Sequence, residues 1–291
     1  MDQPRNVIKL RSMFDLMFDP IGTKYSTFGD REWRLVPNID STRTGKNLIG
    51  APDRITGDLL ISSADLESLE GCPSHIEGGF LGLRGLHLES LEHIATTVDE
   101  LLWIDDCDRL TRLDLLDERR ISFAGISMLS VQRCSSLRAL GRLPSTLRRL
   151  TIDNCEALKT LGIDNTIEHL DFLEISTSYD HPLETLEDLY SSIQSIGNGG
   201  FTYGYVEAPT TKYCQRDALP AGLLTLMRMN IHGPIEFIVN GADANSSAPE
   251  RNAYLMNVMN KWKNQGRRGI LGAQRELLNC PDFDFSLQAT L

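Results

Sequence analysis

One arrangement of apolar residues comes round three times in the middle of this chain, and it limits the possible folds more than anything else in the sequence. Leu147, Leu150, Ile152, Cys155, Leu158 and Leu161 carry it most clearly. Ile126, Leu129, Val131, Cys134, Leu137 and Leu140 repeat the spacing upstream, and Leu102, Ile104, Cys107, Leu110 and Leu113 carry it earlier still. The shared form is L-x-x-L-x-[IVL]-x-x-C-x-x-L-x-x-L. Weaker copies flank these three, at Leu59, Ile61, Ala64, Leu66 and Leu69, at Leu81, Leu83, Leu86, Leu88 and Leu91, and at Leu170, Leu173, Ile175, Leu183 and Leu186. A last strand is expected over Leu223–Ile231, for about seven turns in all. From Ile61 through Leu83, Ile104, Val131 and Ile152 to Ile175 the steps are 22, 21, 27, 21 and 23 residues. An insertion over Asp117–Ala124 accounts for the long one. A fixed period of this size is the signature of a stacked-repeat architecture.

The spacing has a direct physical reading. L-x-I alternation is the period of a strand that buries one face. The cysteine three residues on stands where the chain must turn out of that strand, and the later leucines fill the core from the returning limb. One such turn cannot bury its apolar face alone. Neighbours must therefore stack, with their strands side by side in a parallel sheet. The expected class is α/β, a solenoid with a parallel β-sheet, an N-terminal cap and a C-terminal helical cap.

The stretches DLESLEGCPSHIEGGF and LGRLPSTLRRLTIDNC resemble leucine-rich-repeat proteins of large tailed bacteriophages and, more distantly, bacterial leucine-rich-repeat effectors. Leu66, Leu69, Gly71, Cys72, Pro73, Gly78 and Gly79 match a Leu-x-x-Leu-x-Gly-Cys-Pro phrase followed by a Gly-Gly turn, and they match it once; later copies keep the leucines and lose the Gly-Cys-Pro. The C-terminal GILGAQRELLNCPDFD is similar to the short helical ending of such proteins. The resemblance covers roughly residues 55–190 and, loosely, the C-terminus. It implies a leucine-rich-repeat fold and a binding habit, and it supplies no reaction. Some bacterial leucine-rich effectors are ubiquitin ligases with a Cys-x-Asp motif, a form shared by Cys280-Pro281-Asp282. Their catalytic unit is a large helical domain, and the helix-compatible residues given after the repeats are too few for one, so a ligase is not expected.

Composition narrows the functions. The 291 residues are 41% hydrophobic and 24% charged, enough to bury a substantial core. Lys and Arg number 29 against 40 Asp and Glu, so the formal charge is 29 − 40 = −11. That balance argues against a general nucleic-acid or anionic-membrane binder, which needs clustered cations. No run of apolar residues is long enough for a membrane span. The start, MDQPRNVIKLRSMFDLMFDP, has acids within its apolar stretch and no small-residue cleavage site. A soluble, cytoplasmic protein is expected, in the host cell cytoplasm if it is phage-encoded.

Four segments are anticipated. Residues 1–54 form an N-terminal cap, with an amphipathic helix over Asn6–Phe18 and a strand over Glu32–Val36. Residues 55–190 hold the repeats. Residues 191–246 hold an excursion loop and a last irregular repeat, since SIGNGGFTYGYVEAPTTKY has glycines and no leucines. Residues 247–291 form a helical cap. Its first helix runs Pro249–Gln265, with Ser247 as N-cap and Gly266 as stop, and its second runs Gly269–Leu278.

Sites of chemistry are hard to assemble. The six cysteines (Cys72, Cys107, Cys134, Cys155, Cys214, Cys280) include no C-x-x-C pair, so no metal site is expected. Cys107, Cys134 and Cys155 share one repeat position and read as buried free thiols in a stack, suited to a reducing compartment. The histidines His75, His87, His93, His169, His181 and His232 form no H-E-x-x-H and sit beside no recognisable nucleophile phrase. GNGG at Gly197–Gly200 lacks the following Lys and Ser/Thr of a phosphate loop. No catalytic residue, cofactor or enzyme activity is expected.

What remains is a partner face. Residues between the buried strand positions point outward in three columns. The first is Leu60, Gly82, Trp103, Ser130, Thr151 and Glu174; the second is Ser62, Arg84, Asp105, Gln132, Asp153 and Ser176; the third is Ser63, Gly85, Asp106, Arg133, Asn154 and Thr177. A Trp among acids and Arg has the composition of an interface hot spot. Trp103, Asp105, Asp106, Arg133 and Asp153 are therefore the candidate contacts to another protein, of host or phage. The alternating aromatics Phe201, Tyr203 and Tyr205 are a second candidate surface, as a docking hairpin or a strand packed on the sheet. Lys261, Lys263, Arg267 and Arg268 near Trp262 are a third, for an acidic partner or nucleic acid. An alternative of another class is a structural or assembly (virion) component that acts by self-association. The oligomeric state is open.

Overall fold

A computed structural model describes residues 18–20, 33–35, 47–48, 53–62, 66–115, 126–178, 183–208, 217–218, 222–241, 248–277 and 283–284. The chain divides into two compact units, Met1–Leu137 and Arg138–Leu291. Each is a solenoid of parallel strands.

In the first unit the strands are β1 (Phe18–Pro20), β2 (Trp33–Leu35), β3 (Arg54–Thr56), β4 (Leu59–Ile61), β5 (His75–Glu77), β6 (Leu81–Arg84), β7 (Thr97–Val98), β8 (Leu101–Asp105) and β9 (Met128–Gln132). The order β2-β4-β6-β8-β9 is parallel throughout, and β1 joins β2 antiparallel. Ile61 lies opposite Leu83, Leu83 opposite Ile104, and Ile104 opposite Val131. This is the register that the repeat spacing predicts. The inward rows Leu59-Leu81-Leu102-Leu129 and Ile61-Leu83-Ile104-Val131 are fully buried. Each of these side chains contributes roughly 1.5–3 kcal/mol by leaving water.

A second parallel sheet, β3-β5-β7, runs along the returning limb of the same turns. Gly79 shows how tightly the turns stack here. A Cβ at this position would stand 2.3 Å from the Gly57 carbonyl carbon and 2.4 Å from its oxygen, so only glycine fits.

The way out of each strand is also repeated. Gly85, Asp106 and Arg133 in the first unit and Asn154 in the second all sit at positive φ, between 49° and 63°. That is the left-handed turn which Gly, Asn and Asp tolerate best. The Gly85 N–H donates to Asp105 O, Asp106 N–H to Gln132 O, and Asn154 N–H to Ser176 O, continuing each ladder past its strand. The cysteine follows immediately. The thiols of Cys107, Cys134 and Cys155 donate to the carbonyls of Asp105, Gln132 and Asp153, two residues back in each case. Each cysteine carbonyl then accepts from the leucine three residues on (Leu110, Leu137, Leu158), closing a tight turn. The C-x-x-L phrase is thus a turn with its own internal clasp.

The second unit begins with β10 (Arg149–Asp153) and β11 (Leu170–Ser178), paired in parallel with Ile152 opposite Ile175. A short helix α1 (Glu187–Ser192) follows, then β12 (Ser195–Ala208). Here the sequence-based expectation of an excursion loop fails. β12 pairs in parallel with β11, placing Phe201 opposite Leu173 and Tyr203 opposite Ile175. Aromatic rings take the place of the repeat leucines, with Phe201 1% and Tyr203 0% exposed. The anticipated strand over Leu223–Ile231 is instead a 3-10 helix, Leu223–Arg228, followed by the two-residue β14 (Asn230–Ile231). β13 (Asp217–Ala218) pairs with β16 (Phe283–Asp284). The next full strand is β15 (Ile235–Gly241), with Phe237 opposite Tyr203.

Two helices complete the described residues, α2 (Ala248–Trp262) and α3 (Gly266–Leu277). α2 ends with Asn264 left-handed at φ 61°, so Asn264 rather than Gly266 supplies the stop, and Gly266 opens α3. The α3 residues Ile270, Ala273 and Leu277 and the α2 residues Leu255, Val258 and Met259 are buried. The helix anticipated over Asn6–Phe18 lies outside the described residues apart from Phe18, which opens β1. Also outside them are the Asp117–Ala124 insertion, Ser63, His181, Cys214, Ser247 and Cys280–Asp282. Among the described residues no helix is long and apolar enough to cross a membrane.

Candidate partner-binding face

The site is built from the outward positions of β6, β8 and β9 in the first unit. Trp103 lies opposite Gly82 on one side and Ser130 on the other. Its ring leans over Gly82, so that a Cβ there would meet Trp103 Cε3 at 3.3 Å, Phe80 Cε2 at 3.1 Å and Leu60 Cδ1 at 2.7 Å. Leu60 and Phe80 are buried beneath this cover, while Trp103 stays half-buried. The outward face therefore carries an apolar patch whose shape depends on a missing side chain at residue 82.

Beside it lies a charged cluster. Asp105 is 0% exposed, although its position points out of the sheet. Arg133 covers it with Nη2 2.6 Å from the carboxylate, and Arg84 stands on the other side with Nε at 3.4 Å. Burial pushes the Asp105 carboxyl above its ordinary value, while Arg133 and Arg84 pull it back and Asp106 adds to the rise. A buried carboxylate of this kind is tolerable only because it is paired. Both guanidiniums keep about half their surface in water.

The expected contacts thus separate. Trp103, Asp106 and Arg133 stand together on one face and remain accessible, Trp103 half-buried and Asp106 and Arg133 exposed. Asp105 is not a contact residue; it is the buried anchor that aims two arginines. Arg84 was not among the expected contacts, yet it belongs to the cluster, and the register pairing of Arg84 with Asp105 was the available signal. Asp153 lies half-buried in the second unit, and burial of Glu174, with the Asp153 charge next to it, raises the Glu174 carboxyl. Phe201 and Tyr203 are core residues and offer no docking surface; the Tyr205 side chain lies outside the described residues. In the basic group, Lys261 pairs with Glu276 and lies over the Trp262 ring, and Lys263 donates to Gly233 O at 2.6 Å. Arg267 and Arg268 remain exposed.

Two further constellations escaped the sequence reading. In the first unit the phrase Leu-Glu-Ser-Leu-Glu occurs at 66–70 and again at 88–92. With His87, His93 and Arg109 it lines a groove of about 500 Å³. His87 Nδ1 stands 2.7 Å from Asp108 there. Among the described residues no group of His, Cys, Asp or Glu is arranged to hold a metal ion.

In the second unit His169 Nδ1 is 2.8 Å from Ser195 Oγ, and its Nε2 is 3.0 Å from Asp171. Serine, histidine and aspartate are the residue types of a hydrolase triad. However, the Ser195 hydroxyl donates to Glu168 O at 2.9 Å. A neutral His169 that donates from Nε2 to Asp171 would accept the Ser195 proton at Nδ1, so the direction of this contact follows the histidine tautomer. The three side chains clamp the start of β12 to that of β11.

Comparison with models of protein families, with curated proteins and with solved structures found nothing that matches this chain.

Proposed function

We propose that this chain is a non-enzymatic protein-interaction module of the leucine-rich-repeat type. Its first unit docks another protein through Trp103, Arg84, Arg133 and Asp106. One observation carries the proposal: a half-buried Trp stands beside two arginines that a fully buried carboxylate holds in place. Large aromatic and Arg side chains dominate the energetics of protein interfaces. Groups already ordered in the free protein lose less entropy on binding. The resemblance to repeat proteins of tailed phages supports a phage-encoded factor acting in a host cytoplasm, with a host or phage protein as partner.

The test is a tagged pull-down from the cells in which the chain acts, comparing wild type with Trp103→Ala/Arg84→Ala. Both are read by mass spectrometry after their melting temperatures have been compared. One protein captured by wild type and lost from the folded variant supports the proposal. Equal recovery by both refutes this face, and recovery of the chain alone favours the assembly alternative.

A further inference from the structure

We infer that the docking face of the first unit is gated by a proton: uptake by Asp105 releases Arg84 and Arg133 together, and the fold outlasts the release. The inference rests on the docking reading, which uses both arginines as contacts. Its geometry is one anchor with two dependants. Asp105 ends β8, and it is 0% exposed. Arg84 stands opposite it on β6, and Arg133 reaches it from the turn after β9. Arg133 Nη2 is 2.6 Å from the carboxylate and Arg84 Nε is 3.4 Å from it. Among the described residues neither guanidinium has another ion-pair or hydrogen-bond partner. The negative charge on Asp105 is therefore what orders both side chains.

The charged and titratable groups around Asp105 come from three turns. Arg133 and Arg84 favour its ionised form, while Asp106 beside it and the Cys134 thiol, one residue after Arg133, oppose it. Burial is the largest influence, and it favours the neutral acid. The carboxyl therefore lies above its ordinary 3.8. A raised folded value means that the fold binds this proton more tightly than the unfolded chain does. The contribution of Asp105 to stability is thus present at low pH and lost as pH rises from 3.8 through the folded value. Proton uptake favours the fold at this residue while it takes from the arginines the charge that orders them. Acid unfolding would instead loosen the arginines and the fold together.

The effect on docking follows from the same contacts. With Asp105 ionised, both guanidiniums are ordered before a partner arrives and lose less entropy on binding. With Asp105 neutral, the charge-assisted bonds are gone and two long side chains regain their rotamers. The partner must then order them again. The face binds more tightly above the folded value of Asp105 than below it.

The experiment uses the full chain and needs no partner, so its failure is separate from a failure of docking. NMR of the Asp105 side-chain carboxyl marks its titration. Nitrogen relaxation gives the order of the Arg84 and Arg133 Nε–H bonds, with the exposed Arg267 and Arg268 as references. With Asp105 ionised, order parameters near those of rigid backbone are expected, about 0.85. With it protonated they should fall below about 0.6, level with the references, while far-UV circular dichroism stays unchanged. Asp105→Asn, neutral at every pH, should show loose arginines throughout. Arginines that stay ordered after Asp105 has titrated overturn the inference, and so do arginines already loose at neutral pH. Circular dichroism lost in step with arginine order, or a carboxyl that titrates at or below 3.8, overturns it too. If Asp105→Asn does not fold, the wild-type titration decides alone. A pull-down that captures nothing at either pH would remove the docking reading and leave this titration standing.

Discussion

The two units solve the same problem with different materials. In the first, the turns combine a short strand, a left-handed residue and a tight turn, and leucine, isoleucine or valine fills the inward positions from β4 to β9. The returning limb carries its own small sheet, β3-β5-β7. In the second, the strands lengthen to nine residues in β11 and 14 in β12. There aromatic rings enter the core and helices serve the returning limb. A parallel stack demands that inward volume be filled and outward ladders be continued. It does not demand leucine, or a constant period.

That contrast can be broken at its core. Leu102→Ala in the first unit is expected to cost about 2–5 kcal/mol and Tyr203→Ala in the second about 3–5 kcal/mol. Chemical denaturation measures both. If Tyr203→Ala unfolds at the wild-type midpoint, the aromatic row is not the equivalent of the leucine row. Next in size is Gly79→Ala, where a Cβ must force the turn at Gly57 aside. A loss of about 1–3 kcal/mol is expected; an unchanged midpoint would mean that the first unit is looser than its contacts imply.

Titration sharpens the comparison. Burial raises Asp58 in the first unit and Asp188 in the second above their ordinary 3.8. A carboxyl with a raised folded pKa binds its proton more tightly when folded. Its contribution to stability is therefore present at low pH and is lost as pH rises from 3.8 through the folded value. Asp58→Asn and Asp188→Asn, each still able to accept the bonds from Phe80 N–H and Gly162 N–H, should flatten that decline in melting temperature. A variant that keeps the full slope would show its carboxyl to be unshifted. The smallest effect belongs to Arg149, whose guanidinium lies 5.0 Å from the Phe172 ring centre on the outer face of the second unit. Arg149→Ala should cost about 0.5–1 kcal/mol, read from the same denaturation curves.

The sequence made the register from Ile61 to Val131, and from Ile152 to Ile175, legible, because leucine and isoleucine at strand spacing have no competing explanation. It hid β12 and β15. Their inward residues are Phe201, Tyr203 and Ile235, set among glycines that read equally well as a loop, and the steps from Ile175 to Tyr203 to Phe237 break the period. The candidate face was half visible. Outward columns follow from register alone, so Trp103 and Arg133 could be named. That Asp105 is sealed beneath two arginines depends on which long side chains fold back over the sheet. No spacing encodes that choice. The amides of Asn260, on α2, and Asn264, beyond its end, were invisible for the same reason: each is ordinary until its backbone partner, Ile235 or Ile231, is known.

The three turn cysteines give the fold a built-in set of gauges. Cys107 and Cys134 lie in the first unit and Cys155 in the second, each a buried free thiol clasped to the carbonyl two residues behind it. The neighbouring Cys134 thiol and burial push the Cys107 thiol up. An alkylating reagent can therefore reach each sulfur only when its own turn opens. Labelling rates at the three positions would time the opening of individual turns from within the native chain, with no probe added.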